Sequence, residues 1–263
     1  TIKPFEVHVT ENHPTEPQVW RVFVDREFTA KLRVIKKDAD TKMTVLIPNT
    51  EFKIFNMDTN KYVEMITTYP SKKVHTSFFT DADGDLILPD VLPLGNYRIE
   101  EVAAPFGYVL NENYVEVKVD TDTFYEVDPD TYEAIITVEY ENAPAVGELI
   151  IEKKGEVLDA YKGGLFADSE DKEFVYKEGS LAGAKFEIYA AEDIYTADMQ
   201  TDENGNRNKY YAEGDLVATV VTGEDGKAKV SDLPLGKYRV VEVEAPYGYV
   251  LNKEEQYVTF VYV

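Results

Sequence analysis

Hydrophobic and polar residues alternate in short runs along most of the chain, and these runs are rich in Val, Ile, Tyr, Phe and Thr. Alternation with a period of two is typical of half-buried β-strands. Clusters of Asp, Asn and Gly separate the runs and indicate turns. The pattern therefore predicts an all-β chain of sandwich or barrel type. The predicted strands are 31–36, 50–55, 97–102, 114–119 and 134–142, followed by 148–153, 184–189, 216–221, 238–243 and 257–263.

One cassette of residues occurs twice. Residues 92–111 read LPLGNYRIEEVAAPFGYVLN, and residues 233–252 read LPLGKYRVVEVEAPYGYVLN. Self-similarity on this scale indicates two tandem copies of one domain. We predict a first β-sandwich over 29–145 and a second over 146–263. Residues 1–28 are interpreted as the terminal strands of a preceding repeat or as a leader segment.

The second copy differs from the first mainly by insertion. Two extra stretches, roughly 155–180 and 190–214, are charged and contain Gly, Asn or Tyr, which is typical of surface loops. The chain ends at Val263, just after the strand that corresponds to 114–119. We therefore expect the final strand of the second copy to be missing.

Composition excludes several classes of function. A net charge of −23 and a pI near 4.5 argue against binding to nucleic acid or to an anionic membrane. The absence of cysteine excludes disulfides and thiolate metal sites, and no run is long enough to span a membrane. The Asp81 to Asp85 segment resembles the start of a calcium loop, but Asp-Gly is also the usual hairpin turn, which we favour. We predict no metal and no cofactor.

Alternate residues of a strand share a face, and by this criterion three polar side chains of the first copy lie on the apolar face. Lys36 shares its face with Leu32 and Val34, whereas its neighbour Lys37 points the other way. Glu101 and Asn142 face inward by the same test. In the second copy the matching inward residues are Lys153 and Glu242.

Burial of a lysine and a glutamate costs several kcal/mol per ion unless they pair or become neutral. The plain interpretation is a buried salt bridge. The alternative is chemical, because desolvation favours a neutral amine beside a protonated carboxylic acid. If the Asn142 carboxamide lies between them, the acid polarises its carbonyl, the amine of Lys36 attacks the carbon, and ammonia leaves. The product is a Lys–Asn isopeptide bond between the first and last strands.

Four features occur in a fixed order, which we call the frame. They are the inward lysine, the Gly183-Ala184-x-Phe186 segment, the repeated Glu-x-x-Ala-Pro-x-Gly-Tyr cassette and Asn142 in the last strand of the first copy. This frame resembles the collagen-adhesin B-type domains of Gram-positive pilins and surface adhesins. The resemblance implies tandem immunoglobulin-like or prealbumin-like β-sandwiches, secretion, attachment to the cell wall, and autocatalytic isopeptide formation. It implies Lys36 and Asn142 as the bonded pair and Glu101 as the catalytic acid. Lys153 and Glu242 are then the donor and the acid of the second copy.

The second copy departs from this frame because it has no acceptor. Asn252 belongs to the cassette and matches Asn111, not Asn142. Lys153 is therefore a candidate unpaired donor. Asp25 aligns with Asn142 and is a candidate acceptor for an upstream repeat.

The predicted function is structural: a stalk or pilin-like shaft segment on a Gram-positive cell surface. Its partners are then neighbouring domains of the same protein or pilus. The alternative is an adhesin domain that binds host matrix protein or glycan through the inserted stretches. A turnover enzyme is disfavoured, since no nucleophile elbow, P-loop or dinucleotide fingerprint occurs. The tyrosines that would serve the alternative are Tyr161, Tyr176, Tyr195, Tyr210 and Tyr211.

Overall fold

A computed structural model describes residues 26–162 and 173–263 of the chain. Every regular element in these residues is a β-strand, which confirms the all-β prediction. None of the described residues belongs to a helix that could cross a membrane.

The first domain contains twelve strands. All five strands predicted for this copy are present, the last with the predicted bounds, and seven further short strands were not predicted. They are β1 (Thr29–Asp38), β2 (Glu51–Asn56), β3 (Lys61–Tyr62), β4 (Met65–Thr67), β5 (Lys73–His75), β6 (Phe78–Phe79), β7 (Asp85–Ile87), β8 (Leu92–Pro93), β9 (Gly95–Ala103), β10 (Val115–Val119), β11 (Glu126–Val127) and β12 (Ala134–Asn142).

Two sheets enclose the core of the first domain. One has the order β11-β12-β1-β7 with β8 also paired to β1, and the other has the order β10-β9-β2-β3 with β6 beside β2. Alternate residues of both sheets point inward, so Leu32 and Val34 of one sheet are buried together with Phe52 and Ile99 of the other. This is the sandwich arrangement, in which each strand gives one face to the core.

The described residues of the second domain form ten strands. They are β13 (Val146–Glu152), β14 (Lys154–Lys162), β15 (Glu173–Ser180), β16 (Lys185–Ala190), β17 (Ile194–Tyr195), β18 (Lys209–Tyr211), β19 (Leu216–Val221), β20 (Lys227–Pro234), β21 (Gly236–Glu244) and β22 (Gln256–Phe260).

The two domains share a plan but differ at one edge. Strand β21 lies between β16 and β22, as β9 lies between β2 and β10 in the first domain. Strand β13 corresponds to β1, yet among the described residues it pairs only with β20. The edge that β12 covers in the first domain is thus open in the described part of the second. The core of this domain includes Ile188, Leu233 and Tyr238.

Three sequence expectations change in detail. The described parts of the 155–180 stretch form the antiparallel hairpin β14–β15, so these parts are paired strands and not irregular loop. The 190–214 stretch contains the short pair β17–β18. Strand β22 ends at Phe260, because the last three residues pair with no strand among the described residues.

The Asp81 to Asp85 segment is a turn. The Asp81 carboxylate accepts hydrogen bonds from the backbone N–H groups of Asp83 and Asp85, at 3.0 and 3.1 Å. Gly84 has a φ of 77°, and a Cβ atom there would lie 2.3 Å from the carbonyl oxygen of Val45. The glycine is therefore required both by conformation and by space.

Candidate functional site

Lys36 and Asn142 meet because the first and last strands of the first domain pair in parallel. In the register of β1 and β12, Lys36 lies opposite Tyr140 and Asp38 lies opposite Asn142. Residues two apart on a strand share a face, so the lysine and asparagine side chains both enter the core. Lys36 is fully buried and Asn142 is 1% exposed, which confirms their predicted inward orientation.

Glu101 comes from the opposite sheet. A bulge between Glu51 and Phe52 shifts the register of β2 against β9 and sets Glu101 opposite Phe52. The second domain repeats this feature, with a bulge before Phe186 and Glu242 opposite it. Because a bulge re-aims the side chains around it, the repeated bulge accounts for a glutamate at the same place in both cores.

The three side chains are in contact. Nζ of Lys36 lies 2.5 Å from Oδ1 of Asn142 and 3.1 Å from the carbonyl oxygen of Tyr140. Nδ2 of Asn142 donates to Oε2 of Glu101 at 2.6 Å. Oε1 of Glu101 lies 3.8 Å from the lysine Nζ and has no hydrogen-bond partner among the described residues. An amine, a carboxamide and a carboxyl group therefore form one buried cluster.

The orientation of the carboxamide differs from the sequence expectation. The sequence predicts Glu101 beside the carbonyl oxygen of Asn142, but Glu101 contacts the amide nitrogen, and Lys36 contacts the oxygen. A second acceptor, the carbonyl oxygen of Val109, binds the same amide nitrogen at 2.8 Å. Two acceptors for its two N–H donors fix the nitrogen on the Glu101 side.

Burial changes the acid–base properties of Lys36. Desolvation lowers its pKa to about 8, while the nearby charge of Glu101 opposes this shift. The Tyr140 ring lies 5.3 Å from the lysine Nζ. Burial thus increases the share of the neutral amine, the form in which lysine acts as a nucleophile, although the protonated form still predominates below pH 8.

Three residues near the cluster have no role predicted from the sequence. Asp38 is fully buried, and its Oδ2 accepts a hydrogen bond of 2.6 Å from the Tyr108 hydroxyl. This contact and the burial raise the pKa of Tyr108 above its ordinary value, with burial the larger cause. The backbone N–H of Asn111 donates to Oε2 of Glu101 at 2.9 Å. The repetition of the Gly-Tyr and Asn positions in both cassettes was the available signal for Tyr108 and Asn111, whereas Asp38 has no counterpart in the second copy.

The second domain brings together two of the corresponding groups. Nζ of Lys153 lies 3.0 Å from both carboxylate oxygens of Glu242. The backbone N–H of Asn252 donates to Glu242 at 2.8 Å, as that of Asn111 does to Glu101. The Lys153 side chain is 18% exposed, whereas that of Lys36 is fully buried.

Among residues 26–162 and 173–263 no asparagine side chain is hydrogen-bonded to Lys153, although Asn252 lines the cavity beside this lysine. The cavity has a volume of about 300 Å³ and is lined by Ile151, Phe186, Val240 and Val258 among others. The cavity borders β13 and β22, which correspond to β1 and β10, both of which contact β12 in the first domain. Asp25, the candidate acceptor for an upstream repeat, lies outside the described residues, and no cluster suited to a metal ion occurs within them.

Several solved structures resemble this chain. The TIE protein of Bacillus anthracis is 26% identical, with 89% of this chain and 32% of that chain covered and a TM-score of 0.47. A streptococcal ancillary pilin is 23% identical over 89% of this chain and 59% of that chain, with a TM-score of 0.33. The shaft pilin SpaA of Lactobacillus rhamnosus GG is 16% identical over 89% and 94%, with a TM-score of 0.30. The chain thus spans about a third of the TIE protein and less than two thirds of the ancillary pilin.

The comparison with curated proteins gave no match. A family model described as the SpaA prealbumin-like fold domain matches residues 30–132 and 172–261. These two stretches make up more than half of the chain and contain both copies of the cassette, in agreement with the resemblance found from the sequence. The chain is therefore a member of the SpaA prealbumin-like fold domain family.

Proposed function

We propose that Lys36 and Asn142 form an intramolecular isopeptide bond and that Glu101 promotes its formation. The observation that carries the proposal is the buried contact of 2.5 Å between the lysine Nζ and the asparagine side chain. Reacting groups held in contact no longer need a bimolecular encounter, which removes a large part of the barrier.

The reaction begins with a proton transfer from Nζ of Lys36 to the carboxylate of Glu101, which becomes a carboxylic acid. The lone pair of the neutral amine then forms a bond to Cγ of Asn142, and the carbonyl electrons move to Oδ1. Glu101 gives its proton to Nδ2 from Oε2, 2.6 Å away, and takes one from Nζ. The electrons on Oδ1 then re-form the carbonyl, the Cγ–Nδ2 bond breaks and ammonia leaves, so the carboxyl group of Glu101 ends protonated. Glu101 thus acts as the general acid that protonates the leaving nitrogen Nδ2.

The same residues suggest a mechanical role for the chain. A bond between β1 and β12 would enclose nearly the whole first domain in a covalent loop. A pulling force on the two ends of the domain would then be carried by that covalent bond. We propose that the two domains, 29–145 and 146–263, are structural segments of a secreted Gram-positive surface protein, stalk or pilus. In this role the reaction occurs once per molecule, and the protein is not a turnover enzyme.

We propose that the second domain holds the donor and acid of an equivalent site. Lys153 is the amine and Glu242 the acid, and the required acceptor is an Asn or Asp on a strand placed against β13. Asp25 would serve as an acceptor of this kind for a preceding repeat. The support for this assignment is the matching bulge and the matching N–H contact on the glutamate.

Intact mass spectrometry of the purified chain tests the proposal. We expect a mass lower than the sequence mass by one ammonia, and one proteolytic peptide that contains both Lys36 and Asn142. The variant Glu101→Gln should retain the full mass. Its matched control is Glu100→Gln, because Glu100 lies next on the same strand with its side chain partly exposed. A parent chain of unshifted mass would refute the crosslink.

The acceptor provides a second control. Asn142→Ala should retain the full mass, since it has no carbonyl to attack. Asn142→Asp should lose water and reach the same final mass as the crosslinked parent, because both reactions give the same amide. A folded Asn142→Ala chain that still lost ammonia would place the bond elsewhere.

A second candidate function is supported by one surface. The β14–β15 hairpin has four large apolar side chains that are about half exposed, and Tyr161 and Phe174 pack with ring centres 5.0 Å apart. Exposed aromatic side chains of this kind are frequent in protein-binding surfaces. Replacing Tyr161 and Tyr176 by Ser should abolish binding in a screen against host matrix proteins and glycans if this hairpin is a ligand site. The four side chains are those of Leu158, Tyr161, Phe174 and Tyr176.

A further inference from the structure

The tip of the inserted stretch 190–214 contacts the first domain. We call residues 196–200 of this stretch the arm and residues 38–46 of the first domain the receiving turn. Oδ2 of Asp198 accepts a hydrogen bond of 2.6 Å from the hydroxyl of Thr41. The backbone carbonyl of Asp198 accepts from the N–H of Leu46 at 2.9 Å. Nε2 of Gln200 donates to the carbonyl oxygen of Thr44 at 2.7 Å.

The carboxylate of Asp198 is buried at this contact. The residue is 1% exposed, and its Oδ1 accepts hydrogen bonds from the Thr196 hydroxyl at 2.7 Å and from the backbone N–H of Gln200 at 3.0 Å. A buried carboxylate is tolerated only when hydrogen bonds replace its water. One of its three donors, Thr41, belongs to the other domain, so separation of the domains would remove that donor.

The link between the domains restrains them at a different point. Only three residues, Ala143 to Ala145, separate β12 from β13. The carbonyl of Ala143 accepts from the N–H of Val109, and the N–H of Ala145 donates to the carbonyl of Gly107. A single short link of this kind still permits bending, whereas a second attachment at the arm blocks it.

A third contact lies near the end of β22. The Tyr262 hydroxyl donates to the carbonyl oxygen of Tyr108 at 3.0 Å, and its ring packs on Phe106 with centres 5.0 Å apart. Between these attachments the domains enclose a cavity of about 570 Å³. Because the space between the domains is not filled by close packing, their orientation depends mainly on the polar contacts at its border.

We propose that the 190–214 insertion is a docking element whose partner is the receiving turn of the preceding domain, and that it fixes the orientation of the two domains. The insertion binds three groups of the receiving turn: the hydroxyl of Thr41, the backbone N–H of Leu46 and the backbone carbonyl of Thr44. The sequence alone indicates a surface loop that could bind a host ligand.

Distance measurement between two spin labels tests this docking in the full chain. The chain contains no cysteine, so Glu116→Cys and Glu224→Cys would place one label on an exposed site of each domain without competing thiols. We expect a narrow distance distribution for the doubly labelled parent. Asp198→Ala should widen it by about twofold or more, because relative domain motion is the default when an interface is small and polar.

Two further variants separate docking from misfolding. Thr41→Val removes the donor from the side of the first domain and leaves the insertion unchanged, so it should widen the distribution as well. Asp202→Ala is the matched control, because Asp202 supports a turn in the same insertion through the N–H groups of Asn204 and Asn206. Its distribution should stay narrow.

Three results would overturn the proposal: a parent distribution as broad as that of Asp198→Ala, no widening in Thr41→Val, or equal widening in Asp202→Ala. The test is independent of the crosslink, since all of these variants retain Lys36, Glu101 and Asn142. Intact mass on the same samples reports the crosslink separately.

Discussion

The side-chain nitrogen of Lys36 lies 2.5 Å from the side-chain oxygen of Asn142, although 106 residues separate them in the chain. Both residues are buried, and they stand on the first and last strands of one sandwich. This contact joins the ends of the domain at a single point in its core. The expected stability of the first domain and the expected chemistry of its lysine depend on whether this contact becomes an isopeptide bond.

Loss of the bond should lower the stability of the first domain. In Lys36→Arg the guanidinium stays protonated and cannot act as a nucleophile. Closure of a loop of about 100 residues contributes about 5 kcal/mol in the chain-entropy treatment of disulfides, which we apply by analogy. We expect a loss of that order in the free energy of unfolding, measured with guanidinium chloride. Lys37→Arg, one residue along and facing outward, should unfold like the parent, and equal stability of all three chains would contradict the prediction.

The rate of bond formation should fall above pH 8. The reactive form holds one proton on the Lys36–Glu101 pair, and burial lowers the pKa of Lys36 to about 8. Above that pH the pair loses its proton, so the rate should fall about tenfold per pH unit. Chain recovered unfolded, before it has reacted, can be refolded at different pH values and followed by mass.

A different pH profile would exclude the acid role of Glu101. If only the neutral amine of Lys36 mattered, the rate would rise with pH up to about 8 and then level off. Lys36→Arg refolded alongside should show no mass change at any pH. This control separates bond formation from any effect of pH on refolding.

The lysine of the second domain should remain chemically accessible. Lys153 is 18% exposed and has no acceptor beside it in the described part of the chain. An amine-reactive acetylating reagent followed by peptide mapping should modify Lys153 in the folded protein and leave Lys36 unmodified. Lys37 is a suitable internal standard because its side chain is 19% exposed. Loss of a second ammonia together with an unreactive Lys153 would contradict this expectation.

The Tyr108 hydroxyl should contribute to stability more than its counterpart in the second copy. Tyr108→Phe leaves Oδ2 of the buried Asp38 without its donor, and such a loss costs about 2 kcal/mol. The control is Tyr249→Phe, since the Tyr249 hydroxyl donates to the backbone carbonyl of Glu156 on an exposed surface. Thermal unfolding of the two variants should show the larger decrease for Tyr108→Phe. Equal decreases would mean that the buried carboxylate does not depend on this contact.

The sequence by itself determined the repeat, ten of the 22 strands in the described residues, and the faces of the strands that carry the site. Alternation of polar and apolar residues assigned the core side of β1, β9 and β12, because successive side chains of a strand must point in opposite directions. Parity alone therefore identifies Lys36, Glu101 and Asn142 as inward residues. The repetition of the cassette indicates the corresponding residues in the second copy.

Only the tertiary structure decided which of these residues meet. The parallel pairing of β1 with β12 sets the register that brings Lys36 to Asn142, and pairing between distant strands leaves no periodic signal in either strand. The same is true of the carboxamide orientation, which is fixed by the Val109 carbonyl. The contact of Asp198 with Thr41 likewise joins residues of different domains. Composition indicated an exposed stretch there, but the partner that buries the carboxylate is supplied by the fold.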